Sequence, residues 1–500
     1  MGSKFTALPV KDGESFVLET VHAGRAWVIL VDAGKKSSPK PDRNRLLRAL
    51  RDHCKTVGSR IDIAICTHKD HDHAGGFPDF VRAWTADGGT IGEFWLPGGW
   101  SAALPQALTD SDGLVSALAT GASMAARALL QEAEGTADPS SRNFVSGEPR
   151  RFVSLDERLL SLRDVASGPD NGFEEGSRLR SSAGFHADAA VPPVGEAWSD
   201  EAIATPLGLH PGDVELVGSL VSGSGEPSAP FLDRIPASPE YVPWFAASPR
   251  DISYFHRHAH LTNLLTRSAL ETADIIGTIA KVAVEHRVRV RWFDFEPFEQ
   301  GAAPAGGYPG FLQPLNTVER TQPRSESALS LFFSLRLTEQ NVASLVFQKL
   351  ETPDEPGVLF LADSRLAFGI DEPKEDFPPH LAPLDRPFVF TAPHHGSRNN
   401  DNAYKVLNEW LEPSLVQESY AIRNGGVWNQ TLADFLDHER RRCAHCYQCH
   451  RGEWEQAVSV MTGRSPDWDF GTINASACGT PSVRSAPGPK ERRRSTRMKE

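Results

Sequence analysis

Cysteine is scarce, with six residues in a chain of 500. That is too few for the disulfide framework on which small secreted domains rely. Positive charge is also short: 52 Lys and Arg face 65 Asp and Glu, for a net charge of −13. This balance argues against a surface coated for nucleic acid, while leaving room for a local basic groove. No apolar run approaches the roughly 18 residues of a membrane helix. The amino-terminal Met1-Gly2-Ser3-Lys4-Phe5-Thr6 leads straight into Ala7-Leu8-Pro9-Val10, without the apolar core of a signal peptide. No internal repeat of fixed period is visible. Together these absences predict a soluble cytoplasmic protein that does not engage a membrane.

What is present is ordinary in bulk: 40% hydrophobic and 23% charged residues, as expected of a globular protein. A chain of 500 residues exceeds what one compact core normally holds. Two domains, or one heavily inserted domain, are therefore expected.

The most informative stretch is Cys66-Thr67-His68-Lys69-Asp70-His71-Asp72-His73-Ala74-Gly75-Gly76. It follows Ile61-Asp62-Ile63-Ala64-Ile65, a short apolar run that reads as a buried strand. A loop at the end of such a strand can aim alternate side chains at one point, and the glycines let it turn tightly. Imidazole nitrogen and carboxylate oxygen suit Zn²⁺, Mn²⁺ or Fe²⁺. A solvated polar turn is the bland alternative, but five ligand-type side chains behind a buried strand favour a metal site.

Around this loop, strands are expected at 15–20 and 26–32, joined by His22-Ala23-Gly24-Arg25, with a helix at 43–57. A short helix at 77–84 and a strand at 91–96 follow. Residues 99–261 change character: a helix is expected at 114–131, and much of the rest is Gly, Ser, Pro and Asp without clear period. Such an insertion can form a lid or a recognition region. Regular structure resumes with a helix at 263–286 and strands at 288–293, 328–335 and 343–348. The run Gly357-Val358-Leu359-Phe360-Leu361-Ala362-Asp363-Ser364 then delivers a carboxylate at a strand end. Pro387-Phe388-Val389-Phe390-Thr391-Ala392-Pro393-His394-His395-Gly396-Ser397 does the same with paired histidines. A helix at 403–411, a strand at 414–418 and a helix at 432–442 complete the expected fold.

In their order, His-x-Asp-x-Asp-His-x-Gly-Gly (68–76), Leu-Ala-Asp (361–363) and Pro-His-His-Gly-Ser (393–397) resemble the metallo-β-lactamase superfamily. Within it the likeness is to the hydrolase domain of bacterial DNA-uptake channel proteins of the ComEC type. Gly13-Glu14-Ser15 followed by Leu30-Val31-Asp32-Ala33-Gly34 looks like that family's opening hairpin. The likeness covers about residues 5–98 and 262–435. It implies an α/β (α+β) fold, a four-layer αββα sandwich with a long insertion and a disordered C-terminal tail. Its halves would be residues 1–98 and 262–442, interrupted by 99–261. A Cys/His-rich extension at 443–480 and a basic tail at 481–500 would follow.

By position, the resemblance makes His68, Asp70, Asp72 and His73 metal ligands, with Asp363 bridging and His394 completing a second site. Asp72 would orient the nucleophile, and His395 would donate a proton to the leaving group, though the two adjacent histidines can exchange roles. Ser397 and Arg398 would bind a substrate phosphate. Aspartate at 70, where the commonest pattern has histidine, gives a more oxygen-rich site and tilts the choice toward Mn²⁺ or a mixed centre. The family's mid-chain histidine has no positional match; His210 and the trio His256, His258 and His260 stand elsewhere. One or two ions of Zn²⁺ or Mn²⁺ per chain are expected, one of them completed by water or substrate.

Cys443, Cys446, Cys449 and His450 have spacing compatible with a structural Zn²⁺; reduced cysteines at a helix end are the equal alternative. The His256, His258 and His260 trio alternates as on a strand. The basic residues near the carboxyl end could track phosphates or be simply solvated. Three functions remain open at this level. The first is a metal-dependent phosphodiesterase or nuclease acting on nucleic acid or nucleotides. The second is a metallo-hydrolase of small esters, lactones or amides. The third is a partner-dependent component of a bacterial defence complex, contacting protein partners through the insertion.

Overall fold

The structure, a computed structural model, describes residues 2–10, 13–135, 202, 249–323, 331–332, 335, 343–369, 375–397, 400–425, 433–444, 457–462 and 467–469. It is a mixed α/β chain built on two large sheets. Strands are numbered β1 (Lys4–Ala7), β2 (Phe16–His22), β3 (Arg25–Val31), β4 (Arg60–Ile65), β5 (Thr90–Pro97), β6 (Arg289–Asp294), β7 (Leu312–Pro314), β8 (Val318–Arg320) and β9 (Phe347–Lys349). They continue as β10 (Val358–Phe360), β11 (Ala367–Phe368), β12 (Glu375–Asp376), β13 (Val389–Thr391), β14 (Tyr420–Arg423), β15 (Arg442–Cys443), β16 (Val458–Thr462) and β17 (Trp468–Asp469).

The nine-stranded sheet has the order β17-β16-β1-β2-β3-β4-β5-β6-β8, and the six-stranded sheet β15-β14-β13-β10-β9-β7. In the first, β3, β4, β5 and β6 run parallel. In the second, β10, β13, β14 and β15 do. In parallel arrays, ligands gather beyond the carboxyl ends of the strands. The strands that lead into His68–His73, Asp363 and His394 belong to these two parallel sets.

Period-two alternation divides the apolar side chains between cores. Val358 and Phe360 of β10 join Ile29, Ile63, Trp95 and Val389 in a cluster shared by both sheets. Leu359 points the other way, into a cluster with Phe390, Leu407 and Phe435. A third cluster joins Leu30, Ala64 and Phe94 to helical residues such as Leu50, Phe80, Trp84 and Ile276. The Phe77–Ala86 helix shows why: Phe77, Phe80, Val81 and Trp84 fall on one face, and Pro78 sits in the first turn, where its missing N–H costs nothing.

Several expectations change. Residues 414–418 are helical, within a Pro413–Glu418 helix, and the strand comes later at Tyr420–Arg423. Pro413 fixes φ for a first helical turn, a signal that outweighs the short apolar run. The expected strand at 328–335 is helical at Leu331, Phe332 and Leu335, whose one-four spacing suits a helix. The last helix is confined to Ala433–Asp437, and Arg442 already belongs to β15. His256, His258 and His260 lie in the 37-residue Pro249–Glu285 helix, so strand alternation does not apply to them. There His258 Nε2 donates to the Ser123 carbonyl at 3.1 Å.

Within the stretch 443–480, β16 pairs antiparallel with β1, so Val458–Thr462 and the first strand share one sheet. Within 99–261 the described Ser111–Gly135 helix packs on the Pro249–Glu285 helix. Its segment Asp112–Leu130 is the one stretch among the described residues long and apolar enough to cross a membrane. Scattered Ser, Thr and Gly hid it from a search for unbroken apolar runs. Its Leu114, Leu118, Ala122 and Leu129 are buried in the helical core.

Candidate metal centre

The centre begins with Asp32, the residue after β3, held at a left-handed φ of 59°. Its Oδ1 accepts from the Thr67 N–H at 2.8 Å, and its Oδ2 accepts from the Thr67 hydroxyl at 2.7 Å. The same Oδ2 lies 2.8 Å from His73 Nδ1. Because the Thr67 hydroxyl gives its only hydrogen to Asp32, it accepts from His68 Nδ1 at 3.0 Å. Both rings therefore carry a proton on Nδ1 and present Nε2 to the same space. A carboxylate behind a histidine is the usual way of aiming a metal-binding imidazole.

Asp363 meets them from the six-stranded sheet, two residues beyond the Leu361 that follows β10. Its Oδ1 is 3.2 Å from His73 Nε2 and its Oδ2 is 3.6 Å from His68 Nε2. His68 Nε2, His73 Nε2 and Asp363 Oδ1 are all buried without a hydrogen-bond partner. Three orphaned ligand atoms converging within 4.8 Å of one another are what a cation would satisfy. The residues present could therefore hold a metal ion. Burial would depress His73, but Asp363 and Asp32 outweigh it and hold the imidazole well above its ordinary value. Burial would raise Asp363, but His394, His73 and His68 drive it well below the carboxylate range. Burial and the neighbouring His73 depress His68.

The paired histidines follow β13 in a tight turn, with φ of 47° at His394 and 53° at His395. Two successive left-handed non-glycine residues cost about 1–3 kcal/mol each and persist only when their surroundings hold them. Here the His394 N–H donates to the Ala362 carbonyl at 2.9 Å, and the Ser397 N–H donates back to His394 at 2.8 Å. His394 Nε2 stands 3.6 Å from Asp363 Oδ2, and its Nδ1 stands 3.3 Å from Asn400 Oδ1. The Asn400 amide also donates to the Asp363 carbonyl at 2.7 Å, fastening the two turns together.

His395 turns to a second group. Its Nδ1 donates to the Asn424 carbonyl at 2.8 Å and lies 3.1 Å from Glu14 Oε1, while its Nε2 is 3.1 Å from Asp72 Oδ2. Glu14, His73 and His395 form a second buried set that can hold a metal ion. Burial would lower His395, but Glu14 and Asp72 hold it up at about 10. Burial works against Asp72 too, yet the His395 hydrogen bond and His73 keep its carboxyl well below its ordinary value. Gly13 is required where the chain passes the metal loop: at φ 129° a Cβ would come 2.1 Å from the Asp72 carbonyl oxygen.

The structure brings His68, Asp70, Asp72, His73, Asp363, His394 and His395 to one place. Asp70 Oδ2 is the most distant partner, 3.8 Å from His68 Nε2. His71 points elsewhere, with Nε2 3.0 Å from Glu271 Oε2 on the long helix. Ser397 is buried at the foot of the His-His turn. Arg398 lies outside the described residues, as do Cys446, Cys449 and His450; Cys443 is buried in β15. Sequence reasoning missed Glu14, Asp32, Asn400 and Asn424 as parts of the centre. Asp32 carried a usable signal, since a carboxylate closing a buried strand is the pattern that picked out Asp363.

Comparison with protein-family models and with curated proteins finds no match for this chain.

Proposed function

We propose that the chain is a metal-dependent hydrolase, a phosphodiesterase or nuclease acting on nucleic acid or nucleotides. We read its two sheets and flanking helices as the four-layer αββα sandwich of the metallo-β-lactamase superfamily, in its ComEC-like branch. The observation that carries the reading is the meeting of His68, His73 and Asp363 from two different sheets, each with a buried, unpartnered ligand atom. The nitrogen and oxygen donors suit Zn²⁺ or Mn²⁺. When bound, such an ion supplies Lewis acidity, lowering the pKa of a water from 15.7 toward ~7.

The remaining roles belong to the chain itself. His68, His73 and Asp363 would hold the ion, and Asp70 and His394, beside them, would complete the set. Asp72, a third exposed in its side chain, faces the opening and orients the attacking water. His395 keeps a proton beside Asp72 and passes it to the leaving group. A phosphodiester is favoured over a small ester because the surround is polar. Lys35 and Lys36 are exposed on the loop just past Asp32, and His71 and Arg267 are exposed where both pair with Glu271.

Purified protein loaded with Mn²⁺ or Zn²⁺ is expected to cleave DNA, RNA or a bis-aryl phosphodiester. Asp72→Ala is expected to lose at least about 100-fold, since even residues supporting a metal ligand are worth 10- to 100-fold. Cleavage that survives in the variant would refute the assignment. Turnover of esters or lactones alone would keep the centre and change the substrate.

A further inference from the structure

We propose that Glu14 is a positioning residue that fixes the orientation of the His395 ring, so that Nε2 is the atom offered to the reacting centre. This rests on the hydrolase reading above for its consequence, but not for its geometry.

Glu14 is fully buried, and neither of its carboxylate oxygens accepts a hydrogen bond. A buried carboxylate without hydrogen bonds is costly unless a positive or proton-bearing group stands against it. The group that does so is His395, whose Nδ1 lies 3.1 Å from Glu14 Oε1. The hydrogen on that nitrogen goes to the Asn424 carbonyl at 2.8 Å. A carbonyl and a carboxylate on the same side of the ring leave Nδ1 no reason to be bare. The opposite nitrogen then faces Asp72 at 3.1 Å.

Glu14 is itself held rigidly. Its N–H donates to the Asp72 carbonyl at 2.9 Å, and its own carbonyl accepts from the Gly34 N–H at 2.8 Å. The Asn424 amide donates to the Leu8 and Ser15 carbonyls at 2.7 and 3.0 Å, pinning the chain on both sides of Glu14 to the His395 support. Gly425 continues this seam, since a Cβ there would meet Gly13 at 2.7 Å. One acidic side chain on the first hairpin thereby aims a histidine from the far half of the chain. A carboxylate buried behind a catalytic imidazole acts in the same manner elsewhere, by setting its tautomer and orientation.

The test uses the full chain, with Glu14→Gln as the near-isosteric variant and Glu14→Asp as the charge-preserving one. Ring ¹⁵N signals of His395, assigned by their absence in His395→Asn, report the hydrogen bonding and environment of each ring nitrogen. The wild type is expected to show one fixed ring environment, and Glu14→Gln a shifted or averaged one. On a phosphodiester, Glu14→Gln is expected to lose about 10- to 100-fold in kcat with KM changed less than about twofold, and Glu14→Asp to recover part of the loss. An unchanged ring signal and unchanged kcat in folded Glu14→Gln would overturn the proposal. Should Glu14→Gln not fold, Glu14→Asp decides: an unshifted His395 ring signal and an unchanged kcat in that shortened variant overturn the proposal, and a shifted ring signal with a lowered kcat upholds it. The ring signal needs neither ion nor substrate. Absence of any hydrolysis therefore defeats the functional reading while this test still stands.

Discussion

Among the described residues, two of the clusters of buried charge are built in opposite ways. The first, around Arg291 in the nine-stranded sheet, is carried on strands: Glu93 on β5, Arg291 on β6 and Glu319 on β8. Arg291 Nε donates to Glu319 at 2.8 Å and Nη1 to Glu93 at 3.3 Å, while Nη2 also reaches the Gly307 carbonyl at 2.8 Å. The guanidinium is sandwiched against Trp95 and Tyr308, 4.9 and 4.8 Å from the ring centroids. Trp95 and the Gly307 N–H donate to the same carboxylates. Glu93 Oε1 and the Tyr308 hydroxyl are the exceptions to this satisfaction, and Arg289 stands 3.6 Å from that oxygen. The second cluster is carried on loops beyond strand ends, and its key atoms face one another without hydrogen bonds. Closed charge of the first kind holds a sheet together; open charge of the second kind waits for a cation.

Breaking each cluster should therefore give different phenotypes. Arg291→Met leaves Glu93 and Glu319 buried without their cation, and a loss of about 3–5 kcal/mol is expected in urea unfolding. Ion affinity of the folded fraction should not change. At the other cluster, Zn²⁺ or Mn²⁺ at 100 times its dissociation constant should stabilise the wild type by about 2.7 kcal/mol. Asp363→Asn should show no such gain, with or without chelator. An ion-induced shift in Asp363→Asn, or altered ion affinity in Arg291→Met, would dissolve the distinction drawn between them.

The sequence made the loop-borne cluster more legible than the strand-borne one. His68 to His73 announce themselves because the ligands are packed into one turn after an apolar run. Asp363 and His394 repeat the device of a buried strand ending in a donor. The supports were hidden because their partners are remote: Asn424 Nδ2 binds carbonyls 409 and 416 residues away. Nothing local at Gly13-Glu14-Ser15 tells of a histidine at 395. The Arg291 network was equally silent, since Arg and Glu alternating along short strands read as solvated edges until the sheet order is known. The Pro413–Glu418 helix was missed for another reason: an apolar run this short has no period to distinguish helix from strand. Long elements with full periodicity, such as Phe77–Ala86, left no such ambiguity.

His438 gives the finest test, because it has half of what the metal centre has. It is buried, its Nδ1 lies 3.2 Å from Gln417 Oε1, and its Nε2 has no partner. Its ring packs against Phe390, with centroids 5.4 Å apart. Unlike His68 and His73 it faces no carboxylate among the described residues, and its charged neighbours there are Arg441 and Arg440. Burial, with these arginines, lowers its pKa to about 4. Between that value and the ordinary imidazole value near 6.5 the unfolded chain binds a proton that the folded chain refuses. The stability held above pH 6.5 should therefore be lost as pH falls toward 4, at about 1.4 kcal/mol per pH unit from this group. His438→Phe removes the proton site, so the difference between wild-type and variant unfolding curves isolates it. That difference should be flat above pH 6.5 and steepen below. A flat difference throughout would mean that His438 finds a charge partner when protonated. An orphaned nitrogen would then not by itself separate a structural histidine from a metal-binding one.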